Sequence, residues 1–231
     1  MEATLHQPPQ TLKELEERTL GGLDMVVQQL DRALEALSFQ DVELAGMVVA
    51  DDDRIDGRYL EVHQGILSLL ASQAPVAEDL RVAAALLHTL RCVERMGDQC
   101  VNIAKLVPLS GYEAPKDKDI LDAIERMGGL ARVQVGETKE VFAARDLDRA
   151  RDLVRHDAEI NHLQRVIFRR AVEVGDQLEM REWAMFMILV ARCLERIGDN
   201  SVDIAEQVVF AVTGLFQELA DSASPASVWP Q

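Results

Sequence analysis

Two short stretches of this chain repeat one another, and they carry its chemistry. Residues 91–104 read RCVERMGDQCVNIA and residues 192–205 read RCLERIGDNSVDIA, identical at nine of fourteen positions with a fixed offset of 101. Each places a Glu and an Asp four residues apart: Glu94 with Asp98, and Glu195 with Asp199. Side chains at i and i+4 stack on one helix face, so such carboxylates repel by about 0.2–0.5 kcal/mol when exposed and by more when desolvated. A weaker repeat lies upstream at an offset of 105, with Asp52 and Asp56 matching Asp157 and Asn161.

If the helices bearing the upstream and downstream motifs form an antiparallel hairpin, opposed residues have numbers of constant sum. Asp56 with Glu94, and Asp52 with Asp98, both sum to 150 about Pro75, where Gln73-Ala74-Pro75 independently demands a turn. Asn161 with Glu195, and Asp157 with Asp199, both sum to 356 about residue 178, inside the break at Gly175–Glu179. The second hairpin is thus four residues shorter, two from each arm, and its pairing level is preserved. Each half then brings four oxygen-bearing side chains to one height. Asn102 and Asp203, one turn further on, supply a fifth oxygen donor to each group.

Such a group calls for a cation or for arginines. Oxygen-only ligation favours hard cations (iron, magnesium or manganese first, with calcium in the same class and zinc left open) over a Cys/His zinc site. Arg91, Arg95, Arg192 and Arg196 are the competing counter-charges, and an Arg–carboxylate lattice on a helix surface is the plainer alternative. Gly97 and Gly198 fall inside the repeated motifs, where a helix interior loses about 1 kcal/mol relative to Ala, and their recurrence points to close helix approach. His88, His156 and His162 have no partner at metal-ligand spacing and read as ordinary surface or core histidines. Cys92 and Cys193 read as packing residues, and Met180, Met185 and Met187 as core filler.

The elements that must position these residues are helices. Apolar residues recur at helical spacing through Leu12, Leu15, Leu23, Val26, Leu30, Leu34 and Leu37. This first helix ends near Ser38–Asp41, and a second runs to about Ser72. A third spans about Ala77–Val107, with Leu80, Leu86, Leu87, Leu90 and Val93 facing inwards. Pro108–Lys118, with two Pro and a Gly, is the linker. Three further helices follow at about Asp119–Ala144, Leu147–Val174 and Met180–Thr213. The expected organisation is all-α: two tandem three-helix bundles over 1–110 and 119–220, joined by 111–118, with a frayed tail from Asp221.

The bulk composition supports this reading and excludes others. Of 231 residues, 48% are hydrophobic and only 4% aromatic, so the core is built of Leu, Val, Ile, Ala and Met. A formal net charge of −16 argues against direct nucleic-acid binding and suits cations or a basic partner surface. Three cysteines without a CxxC pair make a disulfide framework improbable and suggest a reducing compartment. No window of eighteen uncharged apolar residues is present, and the N-terminal ten residues lack the marks of a signal peptide. Any membrane role would come through a partner.

The doubled signature, Cys92-Val93-Glu94-Arg95-Met96-Gly97-Asp98 and Cys193-Leu194-Glu195-Arg196-Ile197-Gly198-Asp199, resembles that of the PhoU family. So does Ala74-Pro75-Val76-Ala77-Glu78-Asp79-Leu80-Arg81, and the likeness covers about Leu12 to Phe216. The resemblance implies a cytoplasmic, non-enzymatic protein, often a homodimer, built of two similar three-helix bundles. It implies action with the ATPase-driven phosphate ABC transporter and a membrane sensor histidine kinase, holding the phosphate-starvation response off when phosphate is plentiful. It also implies multinuclear metal sites at Asp52, Asp56, Glu94 and Asp98, with Asn102 peripheral, and at Asp157, Glu195, Asp199 and Asp203. Asn161 departs from the acidic pattern, which implies weaker binding or a different ion in the second half.

Two other readings are set beside this one. A di-iron carboxylate enzyme needs Glu-x-x-His on paired helices, and here Gly97 and Gly198 stand where the histidines would be. A metal-independent helical adaptor, docking basic partner surfaces through its acidic faces, fits the same residues and is the serious rival.

Overall fold

The computed structural model describes residues 11–73, 75–111 and 116–219, and among them the backbone forms seven helices and no strand. They are α1 (Leu12–Phe39), α2 (Val42–Ala50), α3 (Asp53–Gln73), α4 (Ala77–Leu106), α5 (Lys118–Ala144), α6 (Leu147–Val174) and α7 (Leu178–Thr213). Short polar side chains set the starts. Thr11 and Glu14 form a reciprocal capping box on α1, and Asp41, Asp117 and Asp146 cap α2, α5 and α6 through their carboxylates. Asp117 is held in place by Arg170 of α6, 2.7 Å away.

The second helix expected from sequence is broken in two, because Asp51, Asp52 and Asp53 fall in succession. Acidic side chains oppose the negative end of a helix and favour the positive end. The run therefore closes α2 at Asp51 and opens α3 at Asp53, leaving Asp52 at the joint. In the second half the matching stretch, His156-Asp157-Ala158, carries one acid only, and α6 continues through it.

The duplication is visible in three dimensions. Every buried position of α5 is a buried position of α1 moved by 105 residues, from Leu15 and Ile120 to Leu37 and Phe142. Gln40 and Arg145, also 105 apart, both end their helices in the left-handed region at φ of 55° and 54°. One cross-brace is repeated with its acidic and basic side chains exchanged. Arg32 pairs with Asp51 in the first half, and Glu137 with His156 (2.9 Å) in the second.

The result is two tandem three-helix bundles, α1 with α2/α3 and α4, then α5 with α6 and α7. They pack on each other mainly through α4 and α7 and share one continuous core. Ion pairs Lys139–Asp24 (2.7 Å), Arg132–Asp31 (2.9 Å) and Arg145–Glu16 (2.8 Å) tie α5 to α1 across the junction.

Two sequence expectations about the core are corrected. Leu80 is exposed, since six residues at about 100° each put it a third of a turn from Leu86. Met185 is exposed too, lying on the opposite face from buried Met187. Leu87 is half-buried, whereas Leu86, Leu90 and Val93 are buried as expected. The tail from Asp221 and the linker centre at 112–115 lie outside the described residues.

Candidate functional site

Each acidic group sits where the second and third helices of a bundle run antiparallel, over a glycine. In the first half Asp52, at the α2–α3 joint, and Glu94, on α4, are half-buried, while Asp56 and Asp98 are exposed. In the second half Asp157 on α6 is buried at 7% exposure, Asn161 and Glu195 are half-buried, and Asp199 is exposed. Asn102 is exposed on α4.

Electrostatics match the register deduced from constant sums. Burial pushes the Asp52 carboxyl above its usual range, and Asp56 and Asp98 push it further. Glu94 is raised chiefly by burial, with Arg91 opposing and Asp98 and Asp56 reinforcing. Asp157 is pushed up to about 6, first by burial, then by Asp199 and Glu195 across the hairpin. Glu195 and Asp199 are raised by partial burial as well. Side chains on opposite arms therefore lie within Coulombic reach of one another, in both halves.

Some counter-charge is already present. Arg91 donates to Glu94 at 2.9 Å, and Arg192 pairs with Glu195 one turn along the same helix. Asn161 donates to Asp157 Oδ2 at 2.6 Å, so Asp157 has an amide partner where Asp52 has a second acid. Asp203 faces the seam between bundles: desolvation raises it, and Arg95 and His88 of α4 pull it back. Glu94 Oε2 is buried with no hydrogen-bond partner among the described residues. Among those residues no three His, Cys, Asp or Glu side chains converge closely enough to hold one ion, the acids being spread along the hairpin.

The glycines shape these sites. A Cβ on Gly198 would collide with Asp157 Oδ1 and lie 3.2 Å from Gln134 Oε1. A Cβ on Gly97 would lie 3.0 Å from Ile55 Cδ1 and 3.4 Å from Gln29 Oε1. Gln29 and Gln134 are the residues that sequence reasoning missed. They are 105 apart, the offset of Asp52 and Asp157, and they are buried polar residues inside the apolar stripes of α1 and α5. That shared offset was the available signal.

The thiols are inert packing groups. Burial pushes Cys92 up to about 12 and Cys193 up to about 11, and Cys100 is raised still more strongly by complete burial. Among the described residues no helix is long and apolar enough to cross a membrane.

Fold and site together define a class: a duplicated all-helical protein with one acidic hairpin face in each half. The PhoU domain model matches residues 22–107 and again 124–208, one match per bundle, and the chain belongs to the PhoU family. It is 30% identical over 213 residues to the phosphate-specific transport system accessory protein PhoU homolog of Clostridium acetobutylicum, covering 91% of this chain and 96% of that protein. It is 33% identical over 197 residues to the homolog from Caulobacter vibrioides, covering 84% of each. The crystal structure of the phosphate transport system regulatory protein PhoU from Streptococcus pneumoniae superposes with a TM-score of 0.83 at 25% identity, covering 89% of this chain and 97% of that one. PhoU from Pseudomonas aeruginosa gives 0.81 at 26% identity, covering 88% of this chain and 98% of that one.

Proposed function

We propose that this chain is a non-enzymatic regulator of phosphate transport, keeping the phosphate-starvation response off by docking on the transporter ATPase and on a sensor histidine kinase in the cytoplasm. A homodimer with no direct nucleic-acid contact is part of this reading, and the membrane is reached only through partners. Family membership across both bundles supports the regulatory role. The test is a deletion strain: phosphate-responsive genes should be expressed in ample phosphate, and normal repression would refute the proposal.

In this reading each acidic face takes up hard cations: iron, magnesium or manganese. The observation that carries it is Asp157, a buried carboxyl pushed up to about 6 by burial and by the acids opposite, an arrangement a cation would relieve. Buried, unpartnered Glu94 Oε2 fits the same role, as do the oxygens of Asp157 and Gln134 gathered over Gly198. The acids are spaced along about 6 Å of helix in the first group and about 12 Å in the second, which suits hydrated or bridged cations better than one bare ion. Bound cations would neutralise each face and lock its two arms together. Asp52, Asp56, Glu94 and Asp98 would hold the first group, with Asn102 at its edge. Asp157, Glu195, Asp199 and Asp203 would hold the second, weakened by Asn161. Metal analysis of untagged protein beside Glu94→Gln/Asp98→Asn and Glu195→Gln/Asp199→Asn should show stoichiometric metal, lost half by half.

A second reading is favoured by the Arg91–Glu94 and Arg192–Glu195 pairs, which make these carboxylates acceptors for guanidinium groups. On it the faces dock basic partners without metal. The same double variants should then weaken partner binding even in chelator-treated protein.

A further inference from the structure

The first and fifth helices carry none of the acids of the two acidic faces, yet each sends one polar side chain beneath such a face. Gln29 is 5% exposed and Gln134 is 1% exposed. Their amide groups are held in the same way. Gln29 Nε2 donates to Val48 O at 3.4 Å, and Gln134 Nε2 donates to Leu153 O at 3.4 Å. Val48 and Leu153 are themselves 105 residues apart. A backbone carbonyl only accepts, so each NH₂ must face it and each amide oxygen must point the other way.

That oxygen has no hydrogen-bond partner in either half, among the described residues. It is aimed at the glycine of the repeated motif, at 3.4 Å from the Cβ position of Gly97 and 3.2 Å from that of Gly198. At Gly198 the Asp157 Oδ1 crowds the same point, so oxygens from two helices meet over a third. Gln134 Nε2 also lies 3.5 Å from Asp157 Oδ1. A buried acceptor left unpaired costs on the order of 1–3 kcal/mol, and here two are retained at equivalent places.

We propose that the side-chain oxygens of Gln29 and Gln134 are the innermost ligands of the cations taken up by the two acidic faces. Each bundle would then use all three of its helices for binding. This rests on the cation reading given above. Side-chain carbonyls are ordinary ligands of hard oxygen-preferring cations, and a neutral donor adds coordination without adding repulsion to a crowded set of acids. Gly198 then has a second task. Besides allowing helix approach, it lets the amide oxygen of Gln134 and the carboxylate of Asp157 come together over its Cα, whereas at Gly97 the amide oxygen of Gln29 shares that place with Ile55.

The test is Mn²⁺ binding to full-length, metal-stripped protein, followed by calorimetry and by the electron-spin signal of free Mn²⁺. Wild type is compared with Gln134→Met, Gln134→Glu and Gln29→Met, each checked by circular dichroism and thermal melting. Each Met variant should lose roughly ten- to a hundredfold in affinity in its own half and leave the other half unchanged. Gln134→Glu, which restores an oxygen at that point, should bind within a few-fold of wild type or more tightly. Unchanged affinity in a folded Met variant overturns the proposal, and so does equal loss in Gln134→Met and Gln134→Glu. Wild type that takes up no Mn²⁺ overturns the cation reading itself, an outcome readable without any variant. Should a Met variant fail to fold, the side-chain amide signals of Gln29 and Gln134 in ¹⁵N-labelled wild type decide the matter. They should shift on Mg²⁺ addition, and static signals during saturable binding overturn the assignment.

Discussion

Replacing Asp157 by Asn removes one desolvated charge while keeping the shape of the side chain. In the metal-free protein this carboxyl is pushed from an ordinary 3.8 to about 6, by burial first and by Asp199 and Glu195 next. The folded state therefore binds the proton more tightly than the unfolded state does. Wild-type stability falls as pH rises between about 4 and 6, and the full penalty is present above that window. The shift corresponds to about 3 kcal/mol at neutral pH. Residual solvent contact screens part of it, so a gain of about 1–3 kcal/mol is expected for Asp157→Asn. The short bond survives the change, because the new amide oxygen can still accept from Asn161, and only the long 3.5 Å bond from Gln134 Nε2 is given up. The assay is urea unfolding of chelator-treated wild type and variant at several pH values from 4 to 8. The variant should be the more stable at pH 7.5, and the difference should shrink towards zero near pH 4. A variant that is less stable at pH 7.5, or a difference independent of pH, would refute the account of Asp157 as a desolvated charge without a cationic partner.

Other expected outcomes follow from the same geometry. Gly198→Ala should destabilise by about 1–3 kcal/mol, since its Cβ meets Asp157 Oδ1, whereas Gly97→Ala should cost less because the end of Ile55 can move. Gly129→Ala and Gly136→Ala meet nothing within 4 Å on α5 and should each stabilise by about 0.5–1 kcal/mol, measured as melting shifts beside the first two. Phe142→Ala should cost about 3–5 kcal/mol by chemical denaturation, because the ring is fully buried beneath the α5–α6 turn. Cys92 and Cys193 should resist a thiol reagent at pH 8 until the protein is denatured, given their burial and their raised pKa values. Fast labelling of folded protein would show that the α4–α7 seam opens.

The sequence by itself determined the periodic part of this protein. Helical spacing located the helices, Pro75 and the Gly175 region located the hairpin turns, and two offsets of 101 and 105 located the duplication. Because a hairpin has one free parameter, its turn, the arithmetic of opposed residues was enough to bring Asp52 to Asp98 and Asp157 to Asp199. Tertiary structure decided what periodicity leaves degenerate. The break at Asp51–Asp52 follows from helix-end electrostatics competing with a good apolar pattern, and no repeat count registers that competition. Leu80 and Met185 are apolar by type but lie off the buried stripe, and only the packed neighbours fix where the stripe ends. Asp203 follows the motif by one turn, and only the seam between bundles brings Arg95 and His88 of the other half near enough to offset part of its desolvation. Gln29 and Gln134 stayed hidden for a related reason. The 105-residue offset they share is their one signature along the chain, and only the packing of the first helix of each bundle on the other two sets each amide oxygen against the motif glycine.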